Sequence, residues 1–151
     1  MAASIFIIIV SAVLFGYWFR YTCSLFLQTS PPTDYSTEVA AENRLSFPRV
    51  QQELEESGSP DIVALYDSLQ RDYRVVAALL KQVGEFSMAG TSVEEFLLRA
   101  DFWLMKARYN SSLRVSETTA RAALTEMCQI VERLSNSFAE RLVALPVATQ
   151  D

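Results

Sequence analysis

The chain begins with a continuous apolar run rather than a periodic pattern. No charged residue occurs between Ala2 and Phe19. About 18 residues at the ~1.5 Å rise of an α-helix span roughly 27 Å, close to the ~30 Å hydrocarbon core of a bilayer. Beyond Arg20 the chain stays largely apolar to Leu27. Residues 1–27 are therefore predicted to form a transmembrane anchor, with the lipid bilayer as the first expected partner.

The end of this run has the composition of a membrane–water interface. Aromatic rings prefer this depth, and an arginine at the end of a span can extend its charge to the headgroups. The candidate interface residues are Tyr17, Trp18, Arg20 and Tyr21. A cleaved secretory signal is the alternative, but it requires a basic amino-terminal region, which residues 1–4 lack. Because basic side chains follow the span, we expect a single-pass membrane protein whose carboxyl-terminal domain is cytoplasmic.

A short polar segment separates the anchor from the rest of the chain. Residues 28–34 read QTSPPTD, and the Pro31-Pro32 pair cannot continue a helix. We interpret this segment as a linker. Helical periodicity then recurs through residues 35–146, which are predicted to form one helical domain, and residues 147–151 form a tail.

Start signals and apolar spacing predict the helices of this domain. Two short helices come first, from Tyr35 to Leu45 and from Pro48 to about Ser57. A long helix follows, with Ser59 as N-cap, Pro60 in the first helical position and Asp61 near the positive end of the helix dipole. Its apolar residues alternate in steps of three and four, as in a heptad seam: Ile62, Tyr66, Leu69, Tyr73, Val76, Leu80 and Val83.

The last long helix has the same periodicity. It is expected to begin after Ser116 and to end at Pro146. One face carries Ala120, Leu124, Met127, Val131, Leu134, Phe138, Leu142 and Leu145. The fold class is thus predicted to be all-α: one N-terminal transmembrane helix followed by a small antiparallel bundle of three long helices plus one or two short ones. Two interpretations of the long seams are possible. Either they form an intramolecular core, or they pair with a second copy of the chain as a coiled coil.

The middle helix, from Val93 to Tyr109, has an unusually broad apolar arc. Thr91 or Ser92 is expected to cap it, with Glu94 and Glu95 placed for a capping box. Either the arc contacts two neighbouring helices, or part of it forms an exposed docking patch. The candidate partner-binding residues are Phe96, Asp101, Phe102, Trp103, Met105 and Arg108.

A charged stripe crosses the same arc. Glu94, Asp101 and Arg108 recur every seven residues, so they are expected on one line between apolar flanks. Such charges need partners or water. The stripe either pairs with neighbouring helices, for which Arg71, Asp72 or Arg121 are candidates and which would fix their register, or recognises a charged partner.

Composition excludes several classes of function. With 13 Lys+Arg against 18 Asp+Glu, the net charge of −5 opposes binding to the phosphate backbone of nucleic acid. Histidine is absent, and no nucleotide-binding or metal-binding motif occurs, so neither a cofactor nor an enzymatic activity is expected. The remaining catalytic alternative is a membrane-bound enzyme with an unusual carboxylate site or a Ser–Lys site using Lys81 or Lys106.

The sequence therefore favours a protein-interaction module. We expect an accessory subunit, tether or scaffold that binds another membrane or membrane-associated protein. The alternative is a dimeric receptor or sensor that pairs with itself through its helices.

Overall fold

A computed structural model describes residues 2–29, 33–56, 58, 60–87, 92–113 and 115–145 of the chain. These residues form six α-helices and no strand. The helices are α1 (Ala2–Gln28), α2 (Ser36–Asn43), α3 (Phe47–Glu56), α4 (Ile62–Ser87), α5 (Val93–Ser112) and α6 (Glu117–Ala144). The chain divides into two compact units, Met1–Ser30 and Pro31–Asp151. The all-α class and the apolar N-terminal helix are confirmed.

The first unit contains α1, which is long and apolar enough to cross a membrane. The predicted anchor and the observed helix end within one residue of each other. Most large apolar side chains between Ile5 and Leu25 are exposed. The helix therefore differs from the core helix of a soluble domain, whose apolar side chains are buried.

Helix α6 is the centre of the second unit, since it contacts α2, α3, α4 and α5. Its start is as predicted, because the Ser116 side chain accepts a hydrogen bond from the Thr119 amide. Buried residues extend around much of the helix. Several of them are small, including Ala123, Ser135 and Ala139, and small side chains allow neighbouring helices to approach closely. The predicted buried face is confirmed as far as Phe138.

Two details of the long helices correct the sequence analysis. Leu142 was predicted on the buried face of α6 but is exposed, because it lies in the last turn. Helix α4 begins at Ile62 and not at Pro60, since Asp61 Oδ1 accepts a hydrogen bond from the Ala64 amide at 3.2 Å. Asp61 is thus the N-cap, whereas Ser59 lies outside the described residues.

The α4 seam is confirmed as core. Leu69, Val76, Leu80 and Val83 are buried, and the other seam residues are half-buried. The seam was predicted from apolar residues alone, yet a carboxylate, that of Asp72, is also buried beside it.

Asp72 explains where α3 begins. Its Oδ2 accepts a hydrogen bond from the Ser46 amide, at the N-terminus of α3. Arg71 lies beside the carboxylate, with Nε 3.8 Å from Oδ1. Burial raises the pKa of Asp72, while the Ser46 and Phe47 amides and Arg71 oppose this rise. A side chain from α4 therefore satisfies an amide that α3 itself cannot pair.

The short helices are fixed by polar contacts at their ends. The Asp34 carboxylate accepts hydrogen bonds from the Ser36 amide and hydroxyl, which lower its pKa and start α2. Arg44 has a φ of 52°, and this left-handed residue ends α2. At the other end of α3, the Arg121 guanidinium of α6 donates to the Leu54 carbonyl at 2.7 Å.

Candidate functional site

Helix α5 positions most of the candidate residues. The Ser92 hydroxyl accepts a hydrogen bond from the Glu95 amide at 3.1 Å, so Ser92 is the N-cap, as predicted. Thr91, the alternative cap, lies outside the described residues. The helix packs along α6 and contacts α4 through aromatic side chains.

The inner face of α5 belongs to the core. Phe102 and Met105 are buried, and Asp101 is fully buried and has a polar interaction. Met105 and Asp101 are thus removed from the surface of the folded domain, whereas the buried Phe102 also lines the cleft described below. The spacing of apolar residues leaves open which part of the arc is buried, because the arc is wider than the face that α6 covers.

Two aromatic pairs join α4 to α5. The rings of Tyr73 and Phe102 stack with centroids 3.9 Å apart, and those of Tyr66 and Tyr109 stack at 4.1 Å. The Tyr109 hydroxyl donates to the Ile62 carbonyl at 3.1 Å. Burial raises the pKa of both Tyr73 and Tyr109, so both hydroxyls stay neutral at physiological pH. The predicted seam of α4 thus contacts α5 through rings.

The N-terminal carboxylates of α5 form ion pairs. Glu94 Oε1 lies 2.9 Å from Arg133 Nε, whereas the two oxygens of Glu95 lie 2.5 Å from Arg99 and 2.6 Å from Arg141. Arg133 and Arg141 belong to α6, so these pairs hold the start of α5 against it. The reciprocal capping box is not formed, because the Glu95 carboxylate is engaged by the arginines.

The predicted charged stripe is divided by the packing. Glu94 pairs with α6, Asp101 is buried and Arg108 is exposed. Glu94 pairs with Arg133, which was not among the partners suggested for the stripe, namely Arg71, Asp72 and Arg121. Arg71 and Asp72 form hydrogen bonds with Ser46 at the N-terminus of α3, and Arg121 donates to the Leu54 carbonyl near the C-terminal end of α3.

The opposite side of α5 exposes large apolar side chains. Phe96 is 64% exposed and Trp103 is 60% exposed, and Val93 and Leu104 are exposed as well. We call these four residues the outer stripe. Val93, Phe96 and Trp103 are separated by three and seven residues, so they follow one side of the helix. Phe96, Trp103 and Arg108 are therefore the predicted site residues that a partner can reach.

A cleft of about 180 Å³ lies between α4 and α5, beside the outer stripe. In the described part of the chain it is lined by Gln70, Tyr73, Arg74, Phe102, Trp103 and Lys106. The Lys106 ammonium lies 4.8 Å from the centre of the Trp103 ring. Arg74 donates to the Gln70 side-chain carbonyl at 3.2 Å. The cleft thus has an aromatic floor and a cation on each wall.

Sequence analysis missed the α4 wall of this cleft. Tyr73 was assigned to the core, and Gln70 and Arg74 were not considered. The available signal was their spacing, since these three lie within about one turn of a helix whose seam was recognised. No serine is among the lining residues, so the described part of the cleft does not bring a serine to Lys106.

The candidate interface residues lie on α1. Tyr17, Trp18 and Tyr21 are exposed, and Arg20 is half-buried and has a polar interaction. This places large aromatic side chains on the surface of the apolar helix.

The described residues offer little for metal or thiol chemistry. They contain no group of three or more Cys, Asp or Glu side chains that could hold a metal ion. Cys128 is a buried free thiol. The Cys128 thiol donates to the Phe47 carbonyl at 3.1 Å, and burial raises its pKa to about 12. It is therefore protonated and a poor nucleophile.

Comparison of the chain with known protein families, with curated proteins and with solved structures found no match.

Proposed function

We propose that this chain is a single-pass membrane protein whose helical domain binds another protein, as an accessory subunit, tether or scaffold at the cytoplasmic face. The observation that carries the proposal is the outer stripe. Its four apolar side chains are exposed, while the neighbouring Phe102 and Met105 are buried. Contiguous exposed apolar surface of this kind marks interaction sites.

The composition of the stripe also fits a protein interface. Tryptophan and arginine dominate the binding energy of many interfaces, especially beside a pocket that excludes water. Trp103 meets this description because it borders the α4–α5 cleft. Arg108 lies on the same helix and is exposed, so it could select a partner by charge.

Membrane attachment is supported by α1. Its length and composition suit a bilayer, and its apolar side chains are exposed rather than buried. A secretory signal meets the same length and composition criteria and is the alternative to an anchor. Arg20 after the span favours the cytoplasmic orientation.

We further infer that α4 and α5 run antiparallel within a bundle. Tyr73 lies seven residues after Tyr66 in α4, whereas its ring partner Phe102 lies seven residues before Tyr109 in α5. Two contacts in opposite chain order support opposite helix directions.

The proposal is tested by purifying the full-length protein from its own membranes in mild detergent and identifying co-purifying proteins. We expect a stoichiometric partner. Trp103→Ala should reduce its retention about tenfold or more, as expected for an interface hot spot. Val143→Ala is the matched control, because Val143 is an exposed apolar residue on α6.

Thermal unfolding of each variant checks that the domain is intact. If Phe96→Ala, Trp103→Ala and Arg108→Glu all keep the partner at the wild-type level, the outer stripe is not the interface. Recovery of a homodimer alone would favour the sensor alternative. A dimer through the long seams would have to displace the domain's own core, since Leu69, Val76, Leu124 and Val131 are buried within it.

A further inference from the structure

Two basic side chains, Arg74 and Lys106, line the α4–α5 cleft. In the described residues neither Arg74 nor Lys106 forms an ion pair; Arg74 donates to a neutral amide, and Lys106 lies over the Trp103 ring. The nearby carboxylates of α5 are engaged elsewhere, since Glu94 and Glu95 pair with arginines. Two cations therefore face one cavity without a counter-charge.

This local charge is opposite to that of the domain. All 18 acidic residues lie after the linker prolines, and Arg20 is the only basic residue before them, so the rest of the chain has 12 basic residues and a net charge of −6. A cationic cleft in such a domain is selective for anions. Its aromatic floor lowers the local polarity and strengthens a charge-assisted hydrogen bond formed there.

The shape of the site limits what can occupy it. A volume of about 180 Å³ is near that of cavities that hold one benzene ring, so it admits a single large side chain. The outer stripe extends this cavity along α5 from Val93 to Leu104, a rise of about 17 Å or three helical turns. A complementary ligand therefore combines one inserted group with an apolar surface of helical length.

We propose, building on the proposed function, that the cleft and the outer stripe bind an acidic amphipathic helix of the partner protein. Apolar side chains of that helix cover Phe96, Trp103 and Leu104. One of its carboxylates enters the cleft between Arg74 and Lys106. A membrane surface fits the site less well, because the site is a cleft that admits one inserted side chain rather than a flat surface.

The experiment uses the full-length protein carrying Trp18→Phe in nanodiscs of zwitterionic lipid. Trp103 is then the sole tryptophan and reports occupation of the cleft. The probes are synthetic amphipathic helices of about 20 residues with leucine on one face and glutamate, glutamine or lysine on its flanks. We expect the glutamate peptide to shift Trp103 emission to the blue and to bind about tenfold tighter than the glutamine peptide at ~50 mM salt.

Salt and charge reversal test the ion pairs. The advantage of the glutamate peptide should shrink at ~500 mM salt, where screening acts over about 4 Å. Arg74→Glu and Lys106→Glu should each weaken its binding about tenfold. Arg49→Glu is the matched control, because Arg49 is an exposed arginine on α3, and it should leave binding unchanged.

The inference is overturned if the glutamate peptide fails to bind at ~1 mM, or if the three peptides bind equally. It is also overturned if Trp103 emission responds only to nanodiscs containing anionic lipid. If the natural partner is lost in Trp103→Ala but retained in Arg74→Glu and Lys106→Glu, the proposed function stands and the acidic-helix inference fails.

Discussion

Removal of the Glu95 carboxylate should destabilise the helical domain more than removal of any surface acid. Glu95 is 2% exposed, and its two oxygens pair with Arg99 and Arg141, which are 32% and 19% exposed. Breaking a fully buried ion pair costs about 3 to 5 kcal/mol, and partial hydration of both arginines reduces this cost. For Glu95→Ala we therefore expect a loss of about 3 kcal/mol in the free energy of unfolding, or a fall of about 10 °C in Tm.

The assay is denaturant and thermal unfolding of the full-length protein in detergent, followed by Trp103 fluorescence in the Trp18→Phe background. Glu53→Ala is the control, since Glu53 pairs with Arg49 at 2.9 Å on the surface and should cost about 0.5 kcal/mol. A double-mutant cycle between Glu95 and Arg141 should show a coupling of about 1 kcal/mol or more. If Glu95→Ala costs no more than Glu53→Ala, the buried pair does not stabilise the contact between α5 and α6.

Three further outcomes follow from the polar groups of the core. Asp72→Ala should lower the free energy of unfolding by about 2 kcal/mol, because the Ser46 amide loses its acceptor, whereas Asp72→Asn should cost less in the same urea titration. Burial and the nearby Asp34 raise the pKa of Glu132 above 4.5, so the folded state binds its proton more tightly and the carboxylate destabilises the fold above that pKa. Glu132→Gln should thus raise the Tm at pH 7, with the gain disappearing as the pH falls below about 4; an equal gain at both pH values would contradict this assignment. In a Cys23→Ser background, Cys128 should react with iodoacetamide at pH 8 only after unfolding, as mass spectrometry would show, and rapid labelling of the folded protein would contradict its burial and its pKa of about 12.

Local sequence signals predicted most of the helices. Ser92 and Ser116 cap α5 and α6 because a short hydroxyl can accept a hydrogen bond from the amide three residues later. The start of α4 was placed too early because Ser59 and Asp61 are both favourable caps, and proline is compatible with either register. The choice between the two caps depends on how the helix packs in the folded domain, and local sequence propensity carries no information about this packing.

The central position of α6 was not predictable from its apolar seam. The seam was identified from large apolar residues alone. A helix at the centre of a bundle also needs small residues where its neighbours approach closely. Ala123, Ser135 and Ala139 meet this need and are buried, although each is a weak hydrophobic signal. The spacing of Glu95 and Arg99 predicts their ion pair, which the structure confirms. The pairs of Glu94 with Arg133 and of Glu95 with Arg141 were missed for a related reason, since these two arginines lie on α6, 39 and 46 residues away.

The α4–α5 cleft follows from the size of the seam residues. A seam of leucines would allow two helices to pack at about 8 to 10 Å. Here Tyr66 and Tyr73 meet rings of α5 instead, and the backbones of α4 and α5 approach each other much less than those of α5 and α6. The stacked rings thus act as spacers and leave a cavity beside Tyr73, where Trp103 and Lys106 form the opposite wall. A wheel of α5 cannot locate this cavity, because Phe102 and Trp103 are adjacent on the apolar arc and only the position of α4 decides which of them is buried. The same tyrosines that complete the core therefore create the site at which we propose a partner binds.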